Sequence, residues 1–459
     1  MLTRIEVDGF KNLLGFSADF GPFTCIAGPN AVGKSNLFDV IEFLSLLADM
    51  PLEDAAQHVR SNSGQGSSSA LFWTGPDGRA TKMSLAVEML VPNFLLHELG
   101  VEVRPGSVYL RYELELGDDG GLRLDGERLI ARGGSLSSHL RFPHPQGFVE
   151  LYDADADIRL GADEVVFDLA NRSLPGGSKA AFKLGNATRT MLGRYANHEH
   201  PLVLAAHQEL KSWRKLNLDP DVLRRPAKLG PRRANRERGS LAAQLRTLLD
   251  RGYYPEELSA QLALRLTGLT SVRGVSLRED EASGLLTIEA RLVNGERVKG
   301  RELSDGTLRY LALAMLEFEE DDSLVVCLEE PENGLHPRML GDLYELLREL
   351  ALDPSAFNAQ PSPEEIEEPP PPLRQLLIST HSSELVSEVY EHDPGSLLMA
   401  SSILTKGPGD QPARVLRLHP IADSWRCTQG SRGVVLPVID YVGRAVRPAG
   451  RASAAEEGP

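Results

Sequence analysis

Apolar residues along this chain keep three different spacings in turn, and each predicts a different kind of element. "FTCIAG" (23–28) is a short unbroken apolar run, which predicts a buried strand. Directly after it, Leu37, Val40, Ile41, Leu44 and Leu47 repeat at helical spacing through 34–50, until Pro51 ends the pattern. "SNSGQGSSS" (61–69) reads as a connector. Beyond it the period becomes two. Val108, Leu110, Tyr112, Leu114 and Leu116 alternate strictly in "SVYLRYELEL" (107–116), as in a strand with one wet face. Asp125-Gly126 and Asn294-Gly295 predict hairpin turns between short strands, and 238–252 leans to helix. The last third returns to buried elements. "SLVVCL" (323–328) and "LRQLLIST" (373–380) are apolar on both faces, like central parallel strands, and "PRMLGDLYELLREL" (337–350) is a proline-led helix. The acidic, proline-rich "PSPEEIEEPPPP" cannot form a core, so 351–372 is expected to be a disordered insertion and 431–459 a tail.

Composition narrows the picture only in part. At 459 residues, 41% hydrophobic and 25% charged, the chain suits a soluble protein with more than one lobe, and no apolar run is long enough to span a membrane. Three cysteines are too few for a disulfide framework, which points to a reducing cytoplasm. A formal net charge of −16 argues against general binding to polyanions. Lys211–Arg238 departs from that balance, with ten cationic residues against three anionic, so DNA is a candidate partner through this segment.

Chemistry is concentrated at three places. "GPNAVGKS" (28–35) fits G-x-x-x-x-G-K-[ST] between a strand and a helix. Backbone N–H groups of such a loop close around phosphate at a positive helix end. The candidate nucleotide-binding residues are therefore Gly28, Asn30, Ala31, Gly33, Lys34, Ser35 and Asn36, with Lys34 reaching the outer phosphates of ATP. "SLVVCLEEPENGLHP" (323–337) ends a buried strand in two acids. Glu329 would join Ser35 in holding Mg²⁺, and Glu330 would orient or deprotonate the attacking water. "LLISTHSSEL" (376–385) places His381 at the C-terminal edge of a further strand, where ligands of open parallel sheets bind. In "LSDGTLRYLALAML" (303–316), Leu308, Leu311, Ala312 and Met315 form an apolar helix face. Its start packs Ser304, Asp305 and Gly306 together, more than a cap requires. Ser304 and Gly306 are candidates to meet a phosphate carried by a second copy.

The order phosphate loop, Leu-Ser-x-Gly helix, acidic strand, histidine is similar to that of ATP-binding-cassette (ABC) ATPases. "LSDGT" resembles their signature motif, with Asp305 where a glycine is usual, His381 resembles the switch histidine, and "PENGLHP" the loop at the dimer seam. The opening "IEVDGFKNLLGFSADFGPFTCIAGPNAVGKSNLFDVI" resembles the heads of the RecF/SMC/Rad50 class and OLD-like ATPases, in which the basic residue of a Phe-Lys pair, here Lys11, lies near the nucleotide. Short RecF-like ATPases, often called AAA-family, are the nearest in pattern, and several are components of antiphage systems.

The resemblance implies an α/β P-loop NTPase of ABC type, discontinuous over 1–60 and 285–430, with a β-rich and helical insertion at 75–284. It also implies an ATP-bridged homodimer or higher oligomer, a role in DNA repair or antiphage defence, and a separate effector protein such as a nuclease. No heptads support a coiled coil, and the acids after His381 are too scattered for a nuclease. The glutamine that usually contacts the metal has no clear counterpart, Gln65 and Gln208 being the candidates. A scaffold ATPase that senses a protein without touching DNA is the alternative. A transporter ATPase fits poorly with so large an insertion.

Overall fold

The computed structural model describes residues 1–59, 68–76, 78–96, 102–153, 162–177, 187–228, 239–267, 270–280, 284–318, 323–357 and 372–427. In chain order the principal strands are β1 (Leu2–Asp8), β2 (Phe16–Asp19), β3 (Phe23–Ala27), β4 (Lys82–Leu90), β5 (Tyr109–Asp118), β6 (Leu122–Ala131), β7 (Glu164–Asp168) and β8 (Arg214–Leu216). They continue with β9 (Ala227–Lys228), β10 (Val272–Asp280), β11 (Leu285–Leu292), β12 (Arg297–Lys299), β13 (Ser323–Glu329), β14 (Leu373–Thr380), β15 (Leu397–Lys406) and β16 (Pro412–Pro420). The longer helices are α1 (Lys34–Asp49), α2 (Pro201–Ser212), α3 (Leu241–Asp250), α4 (Pro255–Arg265), α5 (Asp305–Leu316), α6 (Leu340–Leu350) and α7 (Ser383–His392).

One sheet runs β8-β13-β14-β3-β15-β16, parallel throughout except for the final β15–β16 hairpin. Its strands are apolar on both faces because both faces are covered. Ile26, Val325, Cys327 and Leu377 join a core that also contains the apolar stripe of α1 and the inner face of a six-stranded antiparallel sheet, β7-β6-β5-β4-β1-β2. Phe23, Leu324, Val326, Leu328, Leu376 and Ile378 join a second core with residues of α3 to α7. Burying one such side chain contributes about 1.5–3 kcal/mol, against a net stability of roughly 5–15 kcal/mol for a whole domain. A wet face on this sheet would therefore forfeit most of the fold.

Several expected boundaries move. The stretch 75–284 is no separate insertion: β1 and β2 pair into the antiparallel sheet through β4, and Arg214–Leu216 adds an edge strand beside β13. A boundary at 285 would divide β11 from β10, its antiparallel partner over Val272–Asp280. Asp125-Gly126 forms a bulge inside β6 rather than a turn; Gly126 still pairs with Glu115, and the chain reverses earlier, at Asp118–Gly121. Asn294-Gly295 does turn the chain, Gly295 having φ of 82°. The insertion expected from 351 begins with packed residues: Phe357 meets Phe148 with ring centroids 5.8 Å apart, and Ala351 is buried. The rest of that segment up to 371, the tail after 427, Gln65 and Arg232, Arg233, Arg236 and Arg238 lie outside the described residues.

Candidate nucleotide site

The phosphate-type loop leaves β3 at Gly28 and enters α1 at Lys34. Gly28 donates its N–H to Thr380 O at 3.1 Å, and a Cβ there would come 2.7 Å from Ala400 O, so only glycine lets β15 pack this closely. Gly33, with φ of 109°, is the left-handed N-cap of α1 and offers no side chain to its first turn. The helix start thus keeps amide N–H groups for an anion. Asn12, from the turn after β1, braces the loop by donating to Val32 O at 3.0 Å and accepting from Asn36 Nδ2 at 2.7 Å. Lys34 is 6% exposed and folds back over the loop, donating to Gly28 O at 2.6 Å and Pro29 O at 2.9 Å. Burial lowers its ammonium pKa, opposed by the fields of Glu330, Glu332 and Glu329.

Across from the loop, Glu329 ends β13 and Glu330 turns the chain with φ of 48°. That conformation costs a non-glycine residue about 1–3 kcal/mol. It is held by Glu330 N donating to Ser379 O at 2.8 Å and Asn333 N to Glu330 O at 3.1 Å. The turn aims the Glu330 carboxylate at the edge of the sheet. His381 Nδ1 lies 2.8 Å from Oε1, and Asn333 Nδ2 donates to Oε2 at 2.6 Å. A phosphate contact by His381 would therefore fall to Nε2.

A cavity of about 710 Å³ joins these parts, within the roughly 300–1,000 Å³ common for ligand sites. Asn30, Ala31, Gly33, Lys34, Ser35 and Asn36 line one side, and Glu329, Glu330, Asn333 and Ser379 the other. Asn217, Asp219 and Arg309 complete the wall. None of these three was read from the sequence. Asn217 and Asp219 follow a strand of only three residues, and Arg309 sits on a helix whose pattern reads as core packing. Gln208 lies on α2 and does not line the cavity; the amide that does so from the end of β8 is Asn217.

Lys11, Ser304 and Gly306 stand elsewhere. The Lys11 ammonium pairs with Asp39 Oδ2 at 2.7 Å, and Lys11 lines a smaller neighbouring pocket with Trp73 and Arg414. The crowded helix start has reasons within its own chain. Ser304 Oγ caps α5 by accepting from Thr307 N at 3.2 Å, Asp305 accepts from Arg224 at 2.8 Å, and a Cβ on Gly306 would sit 2.7 Å from Leu335 Cδ2.

Three cations of the basic segment are likewise paired inside the chain. Lys211 pairs with Asp49 at 3.0 Å, Arg224 with Asp221 and Asp305, and Lys215 with Asp39 at 3.1 Å and Glu329 at 3.2 Å. Burial works to lower the Lys215 ammonium pKa, and Asp39 and Glu329 outweigh it, holding it above its usual value. Asp39 is fully buried on α1 between Lys215 and Lys11. Lys215→Met should lower stability toward the low end of the roughly 3–5 kcal/mol seen when one partner of a buried ion pair is removed, since Lys11 remains. Urea denaturation checks this: Asp39→Asn in the same chain should recover part of the loss, and strictly additive effects would show that the two groups do not interact.

Glu329 Oε1 is buried with no hydrogen-bond partner, its contact with Lys215 being an ion pair out of hydrogen-bond alignment. Ser35 lines the same cavity. A hydroxyl and a carboxylate oxygen fit Mg²⁺, which keeps several waters and leans on substrate phosphates rather than on a protein cage. Among the described residues no group of three or more His, Cys, Asp or Glu could hold a metal ion.

Residues 180–387 match the family model described as "AAA domain, putative AbiEii toxin, Type IV TA system", which takes in α5, the acidic strand and His381. The loop strand β3, the histidine strand β14 and the acidic strand β13 lie side by side in one parallel sheet. The fold is α/β, with a phosphate-type loop between β3 and α1 at the C-terminal edge of that sheet. Solved SMC heads are among the structures to which the chain is distantly similar. One bound to the C-winged helix domain of ScpA has a TM-score of 0.46 at 13% identity, covering 92% of this chain and 98% of that chain. The SMC head domain from Thermotoga maritima scores 0.36 at 13% identity, with coverage of 92% and 98%. A head with an extended coiled coil, bound to the C-terminal domain of ScpA and derived from Pyrococcus furiosus, scores 0.40 at 14% identity, with 91% and 96%. Scores at this level mark a loose likeness. No curated protein matches this chain. Among its described residues no helix is long and apolar enough to cross a membrane.

Proposed function

We propose that this protein hydrolyses ATP with Mg²⁺, that ATP joins two copies of it, and that the resulting switch controls a separate effector in antiphage defence. One observation carries the reaction: Lys34 and Ser35 face Glu330 across a single cavity, and His381 Nδ1 lies 2.8 Å from the Glu330 carboxylate just outside that lining. Lys34 and the loop amides would hold the phosphates. Glu330 would take a proton from water as its oxygen attacks the γ-phosphorus; the bond to the bridging oxygen breaks, leaving ADP and phosphate. Mg²⁺, held by Ser35 and Glu329, would neutralise charge on the phosphates. The defence reading leans on the toxin and type IV toxin–antitoxin system named by the matching family model, and the buried, unpaired thiols of Cys25 and Cys327 suit a reducing cytoplasm.

Ser304 and Asp305 are exposed at the start of α5, where a second copy's nucleotide could reach them. Light scattering tests the shared site. Glu330→Gln protein should double in mass with ATP and Mg²⁺, and adding Ser304→Arg should return it to monomer while ATP binding persists. A mass unmoved by ATP, or a dimer indifferent to Ser304→Arg, removes the bridging model.

A second reading, a scaffold that senses a protein without binding DNA, is favoured by the ion pairs that occupy Lys211, Lys215 and Arg224. Plasmid retention that rises with ATP and falls steeply with salt would instead restore DNA as a partner.

A further inference from the structure

A buried acid close behind the site has no part in the proposed reaction. Glu332, two residues beyond Glu330, is 7% exposed. A buried carboxyl is costly unless something holds it. Thr380, fully buried at the end of β14, donates its hydroxyl to Glu332 Oε1 and accepts from Ser382 N at 3.0 Å. Glu332 Oε2 is buried and has no hydrogen-bond partner. Burial raises the Glu332 pKa above its usual value, opposed by the hydrogen bond from Thr380.

The place of this link in the fold suggests its use. The β13–β14 ladder ends at Glu329 opposite Ser379. Past that point the two segments diverge into separate loops, one carrying Glu330 and the other His381. Side chains then join them: Glu330 to His381, and Glu332 to Thr380. Thr380 precedes His381 and bonds the N–H of the residue after it, so its hydroxyl spans the histidine's own turn. Glu332 reaches the same hydroxyl from the loop that Glu330 begins.

We propose that Glu332 is a positioning residue which, through the Thr380 hydroxyl, sets the turn of His381 against Glu330 and so holds the water-activating pair in register. The inference rests on the ATP-hydrolysis reading above. Because Glu332 accepts the Thr380 hydroxyl, glutamine, whose amide oxygen also accepts, can replace it, whereas a side chain without a polar end cannot.

The test compares Glu332→Ala, Glu332→Gln, Thr380→Val and Thr380→Ser in the full chain, with kcat expressed per nucleotide-binding site counted by titration. That normalisation removes any loss that is only misfolding. Glu332→Ala and Thr380→Val should each lower kcat roughly tenfold, the effect of one lost hydrogen bond at the transition state, with KM for ATP unchanged. The double variant should lose no more than either single one, because both cut the same link. Glu332→Gln and Thr380→Ser should stay near wild type. Wild-type kcat per site in both Glu332→Ala and Thr380→Val would overturn the proposal. So would Glu332→Gln being as slow as Glu332→Ala, which would mean that the charge itself acts. A wild-type protein that releases no phosphate from ATP, or a fully active Glu330→Gln, would instead sink the hydrolysis reading on which the inference rests.

Discussion

Lys34→Ala should leave the protein folded and almost unable to bind ATP. The lysine is buried, its ammonium already lies against the loop carbonyls, and phosphate oxygens would replace those carbonyls as acceptors. Each hydrogen bond to a charged group is worth about 1.5–3 kcal/mol. Loss of two such bonds weakens binding by roughly 10²–10⁴-fold at 1.4 kcal/mol per tenfold. The helix itself should survive, because Leu37, Val40, Ile41, Leu44 and Leu47 of α1 remain packed in the core. Calorimetric titration with ATP, beside a melting curve, checks both statements. Unchanged affinity in a folded variant would show that nucleotide is held elsewhere.

Glu330→Gln should bind ATP as the parent does and turn it over roughly 10²–10⁴-fold more slowly, the usual cost of losing a general base. Glutamine keeps the length of the side chain and can still accept from Asn333, so the left-handed turn at 330 and its hydrogen bonds to Ser379 and Asn333 need not move. What it loses is the carboxylate that accepts a proton. His381, 2.8 Å from Glu330, also loses a charged partner, so His381→Ala in the Glu330→Gln background should add little to the defect. Single-turnover measurement with pre-bound ATP isolates the chemical step. A Glu330→Gln protein that hydrolyses at the parent rate would transfer the base role to another group of the cavity.

The parts of the candidate site were legible in the sequence because they sit on short, strongly patterned segments. An apolar run followed by "GPNAVGKS" can bury its strand and open its helix in few other ways. The two-faced apolar runs ending in Glu329-Glu330 and at His381 likewise fit only a covered parallel sheet. Spacing in the chain, however, could not show which side chains meet. The contribution of β8 was hidden because three residues carry no readable period. Lys215 counted toward a basic patch until the fold set it between Asp39 and Glu329. Asp125-Gly126 has turn chemistry, yet the ladder on either side carries the strand through it as a bulge.

Ser304-Asp305-Gly306 shows the division most clearly. Local pattern alone determined that a helix begins there, since a capping hydroxyl precedes an apolar helical face. Only the tertiary structure decided why each residue stands where it does: Arg224 arrives from 81 residues earlier to meet Asp305, and Leu335 from the following loop presses on Gly306. Periodicity and loop chemistry act over a few residues, so the sequence by itself determined most of the elements and the phosphate-type loop. Ion pairs, close approaches and the Glu330–His381 register join segments dozens to hundreds of residues apart, and those were decided by how the two cores close around one sheet.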